Sequence, residues 1–228
     1  MNHNPILCAI DTTEMSRAQA LIAAVSGAVG GVKLGLEFFV AHGPAGARAV
    51  AGSQAKLFLD LKLHDIPNTV AGAVRAALAL DPLFMTLHAA GGAAMMRAAV
   101  DARGDRRTKL LGVTVLTSLD GGDLAATGQT GPVEAQVQRL ALLAKSAGLD
   151  GVVCSPQEVA TLREACGKDF MLVVPGIRPA GAALGDQKRV QTPRAAIEAG
   201  ADYLVIGRPI TEALDPAAAT RAILAEIP

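Results

Sequence analysis

Eight short runs rich in leucine and β-branched residues recur along the chain, at 5–11, 31–37, 56–63, 83–88, 110–118, 150–155, 170–177 and 202–208. Several are apolar at consecutive positions instead of alternating, the pattern of parallel strands covered on both faces. Between them lie alanine-rich stretches with helical spacing, such as Val70, Ala73, Val74, Ala77 and Leu78 behind Pro67. Cap signals mark their ends. Ser155-Pro156-Gln157-Glu158 reads as a capping box, Gly131-Pro132 opens a helix that stops near Gly148, and Thr192-Pro193 and Asp215-Pro216 are cap-plus-proline starts. Eight strand–helix units of about 28 residues each predict an α/β fold, a single-domain (β/α)8 TIM barrel spanning residues 1–228. A doubly wound open sheet is the alternative, but it usually needs fewer strands and a G-x-G-x-x-G fingerprint, and the chain has none. The stretch 27–31 precedes a strand instead of following one, so it reads as a turn.

Composition narrows the function classes. The 228 residues carry 21 basic and 21 acidic side chains, so the formal net charge is zero. That balance argues against a nucleic-acid grip, which needs a basic excess, and against bulk attraction to acidic membranes. No run of 18 apolar residues predicts a membrane span, and the first residues lack the basic-then-apolar pattern of a secretory signal. Cys8, Cys154 and Cys166 are too few and too scattered for a disulfide framework or a zinc cluster. Cys8 and Cys154 lie inside apolar runs and read as small core residues. A protein of the reducing cytoplasm is expected.

In a barrel the active site lies at the C-terminal ends of the strands. Those ends carry Asp11, Lys33, Asp60 with Lys62, His88, Thr117 with Ser118, Ser155, Pro175-Gly176 with Arg178, and Gly207-Arg208. Charges inside apolar strands are costly unless they are paired or used. In Leu57-Phe58-Leu59-Asp60-Leu61-Lys62-Leu63 the two charges stand two apart, hence on one face, with Leu59, Leu61 and Leu63 on the other. The leucines need the helices outside, so the charges face the barrel interior. A buried ion pair that merely fills the barrel is the plain reading. Against it, such pairs seldom stabilise more than an apolar replacement would, and Lys33 should project from the adjacent strand. Opposite charges 4 Å apart attract by about 4 kcal/mol at an effective dielectric of 20, enough to keep both lysines protonated and Asp60 ionised. Such an array suits a reaction that makes a carbanion and then protonates it.

A second signal lies near the C-terminal end. Pro175-Gly176-Ile177-Arg178 leads into a long glycine-containing loop, 179–191, and the eighth strand ends in Gly207-Arg208. Loops after strands seven and eight form the usual phosphate site of such barrels, using backbone N–H groups and an arginine fork. An arginine that only caps a helix or pairs on the rim is the plainer alternative. His88 admits two readings, a catalytic group or a hydrogen-bonded barrel histidine. His64 reads as structural, Ser155 as a helix cap and Met95-Met96 as helix packing. No spacing of histidines or carboxylates indicates a metal.

These residues resemble a known family. Asp60-Leu61-Lys62-Leu63-His64-Asp65-Ile66-Pro67-Asn68-Thr69 is similar to the signature of the orotidine 5′-phosphate decarboxylases, compact bacterial branch. Asp11, Val32-Lys33-Leu34-Gly35, Leu87-His88-Ala89, Val115-Leu116-Thr117-Ser118, Val174-Pro175-Gly176-Ile177-Arg178, Gly185-Asp186-Gln187 and Ile206-Gly207-Arg208 match in order, over nearly the whole chain. The resemblance implies a cofactor-free decarboxylation of orotidine 5′-phosphate to uridine 5′-phosphate, the last step of UMP synthesis, with Lys62 as the acid that protonates C6. Asp60 would lie against the substrate carboxylate and form the array with Lys33 and Lys62. Asp65 and Thr69 would enter the neighbouring subunit's site, so a homodimer with two shared sites is implied. Asp11 and Lys33 would hold the ribose, and Thr117 or Ser118 would meet the base. Pro175 would contact the substrate, and Arg178, Gln187, Gly207 and Arg208 would hold the phosphate, with Gln187 on a closing loop. The rival enzymes are a metal-dependent sugar-phosphate lyase or epimerase on the same barrel, separable by sensitivity to a chelator. The rival from another class is a non-catalytic module that binds a phosphorylated ligand, which would be expected to have lost part of the array.

Overall fold

The computed structural model describes residues 4–51, 55–179 and 191–228. Its eight strands are β1 (Ile6–Ile10), β2 (Gly31–Leu34), β3 (Leu57–Leu63), β4 (Phe84–His88), β5 (Lys109–Val113), β6 (Gly151–Val153), β7 (Met171–Val174) and β8 (Tyr203–Ile206). Every neighbouring pair is parallel, and β8 closes on β1 through Ile6–Leu204, Leu7–Val205 and Cys8–Ile206. The expected barrel is therefore closed, and the open-sheet alternative is wrong. Most strands are shorter than the apolar runs that predict them. Run 110–118 is the clearest case: β5 ends at Val113, and Val115 and Leu116 continue into the loop that lines a cavity. An apolar run records burial, and burial continues past the last ladder hydrogen bond.

The helices described are α1 (Met15–Val25), α2 (Leu36–Ala51), α3 (Pro67–Ala77), α4 (Gly92–Arg103), α5 (Gly121–Ala126), α6 (Val133–Ser146), α7 (Val159–Cys166), α8 (Pro193–Glu198), α9 (Arg208–Thr211) and α10 (Pro216–Ala225). Their ends follow the sequence signals. Pro67 is the first residue of α3, and Val70, Val74 and Ala77 are buried. Ser155 and Glu158 form the capping box before α7, while Thr192 and Asp215 accept backbone N–H groups of α8 and α10. Helix α2 is broken at Gly43, whose φ of 60° suits glycine, and Pro44 restarts the helix. In the 27–31 turn a Cβ on Gly30 would land on the Asn4 carbonyl oxygen, so glycine is required there by close approach.

Strand alternation divides the core in two. Leu7, Ala9, Phe58, Phe84, Leu111, Val173 and Val205 pack together as one cluster, the barrel interior. Ile6, Cys8, Val32, Leu34, Leu57, Leu59, Met85 and Leu87 belong to the larger cluster shared with the helices. Lys33, Asp60 and Thr86 have the inward parity of Phe58 and Phe84. All three cysteines are buried free thiols, and burial pushes the Cys8 thiol up to about 12.

The N-terminal end of the barrel is tied by carboxylates that serve two strands at once. Asp150, just before β6, binds Arg103 at 2.6 Å and Lys109 at 2.9 Å and accepts the Leu110 N–H at 2.9 Å. Asp202, just before β8, repeats the device with Arg163 at 2.6 Å and the Leu172 N–H at 2.8 Å. Replacing Asp150 by alanine strands a half-buried guanidinium and a backbone donor. We expect Asp150→Ala to lose about 2–3 kcal/mol, a fall of about 4–12 °C in Tm by thermal melting.

Candidate active site

A cavity of about 470 Å³ opens where the strands end, a volume within the range of small-molecule sites. Asp11, Lys33, Asp60, Lys62, Thr117, Pro175, Gly176, Arg178, Gly207 and Arg208 contribute to its wall. Apolar side chains from Phe58, Val113, Val153 and Val205 complete its inner surface. Asp11 and Arg208, from the first and last strands' ends, thus share one chamber because every strand delivers its C-terminal end to the same face.

The charges in it form a chain of alternating sign. Lys33 Nζ lies 3.4 Å from Asp11 Oδ1 and 3.4 Å from Asp60 Oδ2, and Lys62 Nζ lies 2.8 Å from the same Asp60 oxygen. Burial is the largest influence on Lys33 and opposes its charge, but Asp60 and Asp11 outweigh it and hold the ammonium above the ordinary lysine value. Asp60 is the mirror case. Burial favours its neutral form, yet Lys33, Lys62 and hydrogen bonds from Lys62 and Thr86 hold its carboxyl below the usual carboxylate range. Lys33 and Asp60 are therefore each held in the charged form by the other.

Lys62 reaches Asp60 by a route that plain alternation does not foresee. The β3–β4 register shifts between Leu59 and Leu63, and Lys62 has a φ of 50°. Leu61 and Leu63 are only half-buried, so the expectation of three leucines packed under the helices holds fully for Leu59 alone. The two charges still meet, through the irregularity instead of a regular pleat.

Other expected site residues fall elsewhere. Asp65 and Thr69 are exposed and outside the cavity of their own chain, and Asp65 accepts the Ile66 N–H at 2.6 Å. Ser118 is exposed, whereas Thr117 lines the wall. Gln187 and most of the 179–191 loop lie outside the described residues; at its flanks the Arg178 N–H donates to the Gln191 carbonyl at 3.0 Å. His88 does not line the cavity. Its ring lies 5.4 Å from that of His64, and burial first, then His64 and Lys62, depress its pKa. Ser155 caps its helix as expected. Among the described residues no group of three His, Cys, Asp or Glu side chains could hold a metal ion.

The sequence reading missed Arg17, Thr211 and Glu212 at the cavity, and Thr86 behind it. Arg17 on α1 and Glu212 just past α9 carried no signal, because charged residues on and beside helices are usually solvated. Thr86 did carry one. It is a polar residue in the middle of an apolar strand, the same anomaly that marked Asp60.

A closed (β/α)8 barrel with an alternating charge array at the C-terminal mouth defines the class: an α/β barrel with a small-molecule site for a charged ligand. The chain belongs to the orotidine 5′-phosphate decarboxylase / HUMPS family, whose sequence model matches residues 4–223. It is 56% identical to the orotidine 5′-phosphate decarboxylase of Paramagnetospirillum magneticum, with 98% of each chain covered. It is 54% identical to that of Thermobifida fusca over 98% of this chain and 95% of the relative. Among solved structures, the orotidine 5′-phosphate decarboxylase of Lactobacillus acidophilus superposes with a TM-score of 0.87 at 39% identity over 98% of each chain.

The depressed pKa of Asp60 makes a stability prediction. A carboxyl lowered by folding contributes stability above its unfolded value and loses it as pH falls through the folded value. In denaturant unfolding, the difference between the parent and Asp60→Asn is expected to be flat from pH 7 to about 5 and to move against the parent below about pH 4. A difference that stays flat to about pH 2 would show that the pairing does not bias the carboxyl.

Proposed function

We propose that this chain converts orotidine 5′-phosphate to uridine 5′-phosphate and carbon dioxide without a cofactor. The observation that carries the reading is the Lys33–Asp60–Lys62 chain on the cavity wall. The family and the names of its relatives supply the substrate. When the bond from C6 to the carboxylate breaks, the electron pair stays on C6. The Lys62 ammonium, fixed beside Asp60, stabilises that carbanion more than the ground state and then gives it a proton. Asp60 takes the place beside the departing carboxylate and, 2.8 Å from Lys62 Nζ, holds that ammonium in position for the proton transfer.

The remaining wall suits the rest of the substrate. Asp11 and Lys33 take the ribose hydroxyls, and Thr117 is better placed than Ser118 to meet the base. Pro175, Arg178, Gly207 and Arg208 surround the phosphate, with Gln187 assigned to the same group through the family motif. Binding energy from that remote phosphate can be used to fix the array around the reacting carbon. The chain works as a homodimer in the cytoplasm, where Asp65 and Thr69 of each subunit complete the other's site. In support, 64–69 is exposed throughout, and Ile66 (66% exposed) and Val40 (82% exposed) are apolar side chains left facing outward. No described helix is long and apolar enough to cross a membrane.

The first test follows orotidine 5′-phosphate by ultraviolet absorbance with purified protein in EDTA. We expect conversion to uridine 5′-phosphate that vanishes in Lys62→Ala; no conversion by folded protein, or conversion only after adding metal to a sugar phosphate, overturns the reading. A second test addresses the shared site. Lys62→Ala and Asp65→Ala proteins, each inactive, are unfolded together and refolded as a mixture. Random pairing leaves half of the dimers hybrid with one intact site each, so about a quarter of the parent activity should return. Activity that stays at the level of the separate variants would place Asp65 outside the neighbour's site.

A further inference from the structure

Strands β3 and β4 keep register through Phe58–Phe84 and Leu59–Met85, then resume at Leu63–Leu87. Over that interval β3 advances four residues while β4 advances two. The surplus falls on the stretch that carries Asp60 and Lys62, and Lys62 takes a left-handed φ of 50°. A residue with a β-carbon adopts that conformation only when its surroundings compel it. A backbone N–H inside such an irregularity loses its ladder carbonyl and needs another acceptor.

The acceptor is a side chain. The Lys62 N–H donates to Thr86 Oγ1 at 2.9 Å, and the same hydroxyl donates to Asp60 Oδ1 at 2.9 Å. Thr86 is fully buried, so water does not compete for either bond. A hydroxyl has one proton, and here it goes to the Asp60 carboxylate. The carboxylate is thereby divided: Oδ1 is held by Thr86, and Oδ2 faces both Lys62 and Lys33. Thr86 itself does not reach the cavity.

We propose that Thr86 is the positioning residue of the array, its single hydroxyl fixing both the strained backbone of Lys62 and the rotation of the Asp60 carboxylate. The inference rests on the decarboxylase reading, since its effect is on turnover. Without the hydroxyl, the Lys62 backbone can relax toward a regular strand and the carboxylate can turn, and a small misplacement of an acid from the carbon it serves is costly. The hydroxyl also favours the ionised form of Asp60, alongside Lys33 from β2 and Lys62 from β3, with His88 of β4 the other titratable group close to it. Its loss should therefore move the acidic limb of activity to higher pH.

The experiment compares kcat, KM and the pH profile of kcat/KM for the parent, Thr86→Val and Thr86→Ser, with thermal melts of each. Valine keeps the branched shape and removes the hydroxyl; serine keeps the hydroxyl. We expect Thr86→Val to lower kcat by about ten- to a hundredfold with KM changed less than about threefold. Its acidic limb should shift upward, and Thr86→Ser should recover most of the lost turnover. Where Thr86→Val does not fold, Thr86→Ala against Thr86→Ser makes the same comparison. The inference is overturned if the apolar variant keeps the parent kcat and profile, or if serine is as impaired as the apolar variant, which would mean a packing role. A parent with no turnover on orotidine 5′-phosphate defeats the decarboxylase reading and takes this inference with it, an outcome visible in the control alone.

Discussion

Asp60 is a carboxylate inside a barrel, and the surrounding structure is arranged so that it can stay ionised there. Burial alone favours its neutral form. Two ammonium groups and one hydroxyl reverse that preference, and each arrives from a different place in the fold: Lys33 from β2, Lys62 from a distorted turn of β3, Thr86 from β4. The dependence runs both ways, because burial works against the charge of Lys33 and the facing Asp60 and Asp11 outweigh it. Removing any charged member leaves its neighbours in a low-dielectric site with unbalanced charge. The array is thus one electrostatic unit, and its parts have no separate contributions to add.

The barrel supplies what that unit needs. Parallel strands in closed order bring their C-terminal ends to one mouth, so charges far apart in sequence become neighbours. The apolar interior below, built on Phe58, Phe84 and Val205, excludes water from one side of the cavity and strengthens the interactions above it. Stability and chemistry are separated along the barrel axis. Asp150 and Asp202 fasten strands at the N-terminal end, where their carboxylates are spent on structure. The strain carried by Lys62 sits at the other end, among residues that touch the cavity.

Much of this was legible in the residues themselves. Eight apolar runs with capped helices between them require a parallel α/β fold, because consecutive buried positions demand cover on both faces. The positions of Asp11, Lys33, Asp60 and Lys62 at run ends marked the site, since an unpaired charge in such a run would not be tolerated. Helix starts at Pro67, Ser155, Thr192 and Asp215 were equally readable, because capping is local chemistry. Strand ends were not, as hydrophobicity continues into loops such as Val115–Leu116 that cover the cavity without joining the ladder.

What only the tertiary structure decided concerns register and rotation. Sequence spacing put Asp60 and Lys62 on one face by simple alternation; the folded chain brings them together through a two-residue surplus in β3 and a left-handed Lys62. No periodicity encodes such a surplus, because it exists only relative to the neighbouring strand. Thr86 was visible as a polar residue in an apolar run, but its two hydrogen bonds depend on where β4 lies against β3. The sequence by itself determined the fold class and the charges that must be paired. Pairwise strand register, a property of two segments and never of one, decided how those charges are aimed.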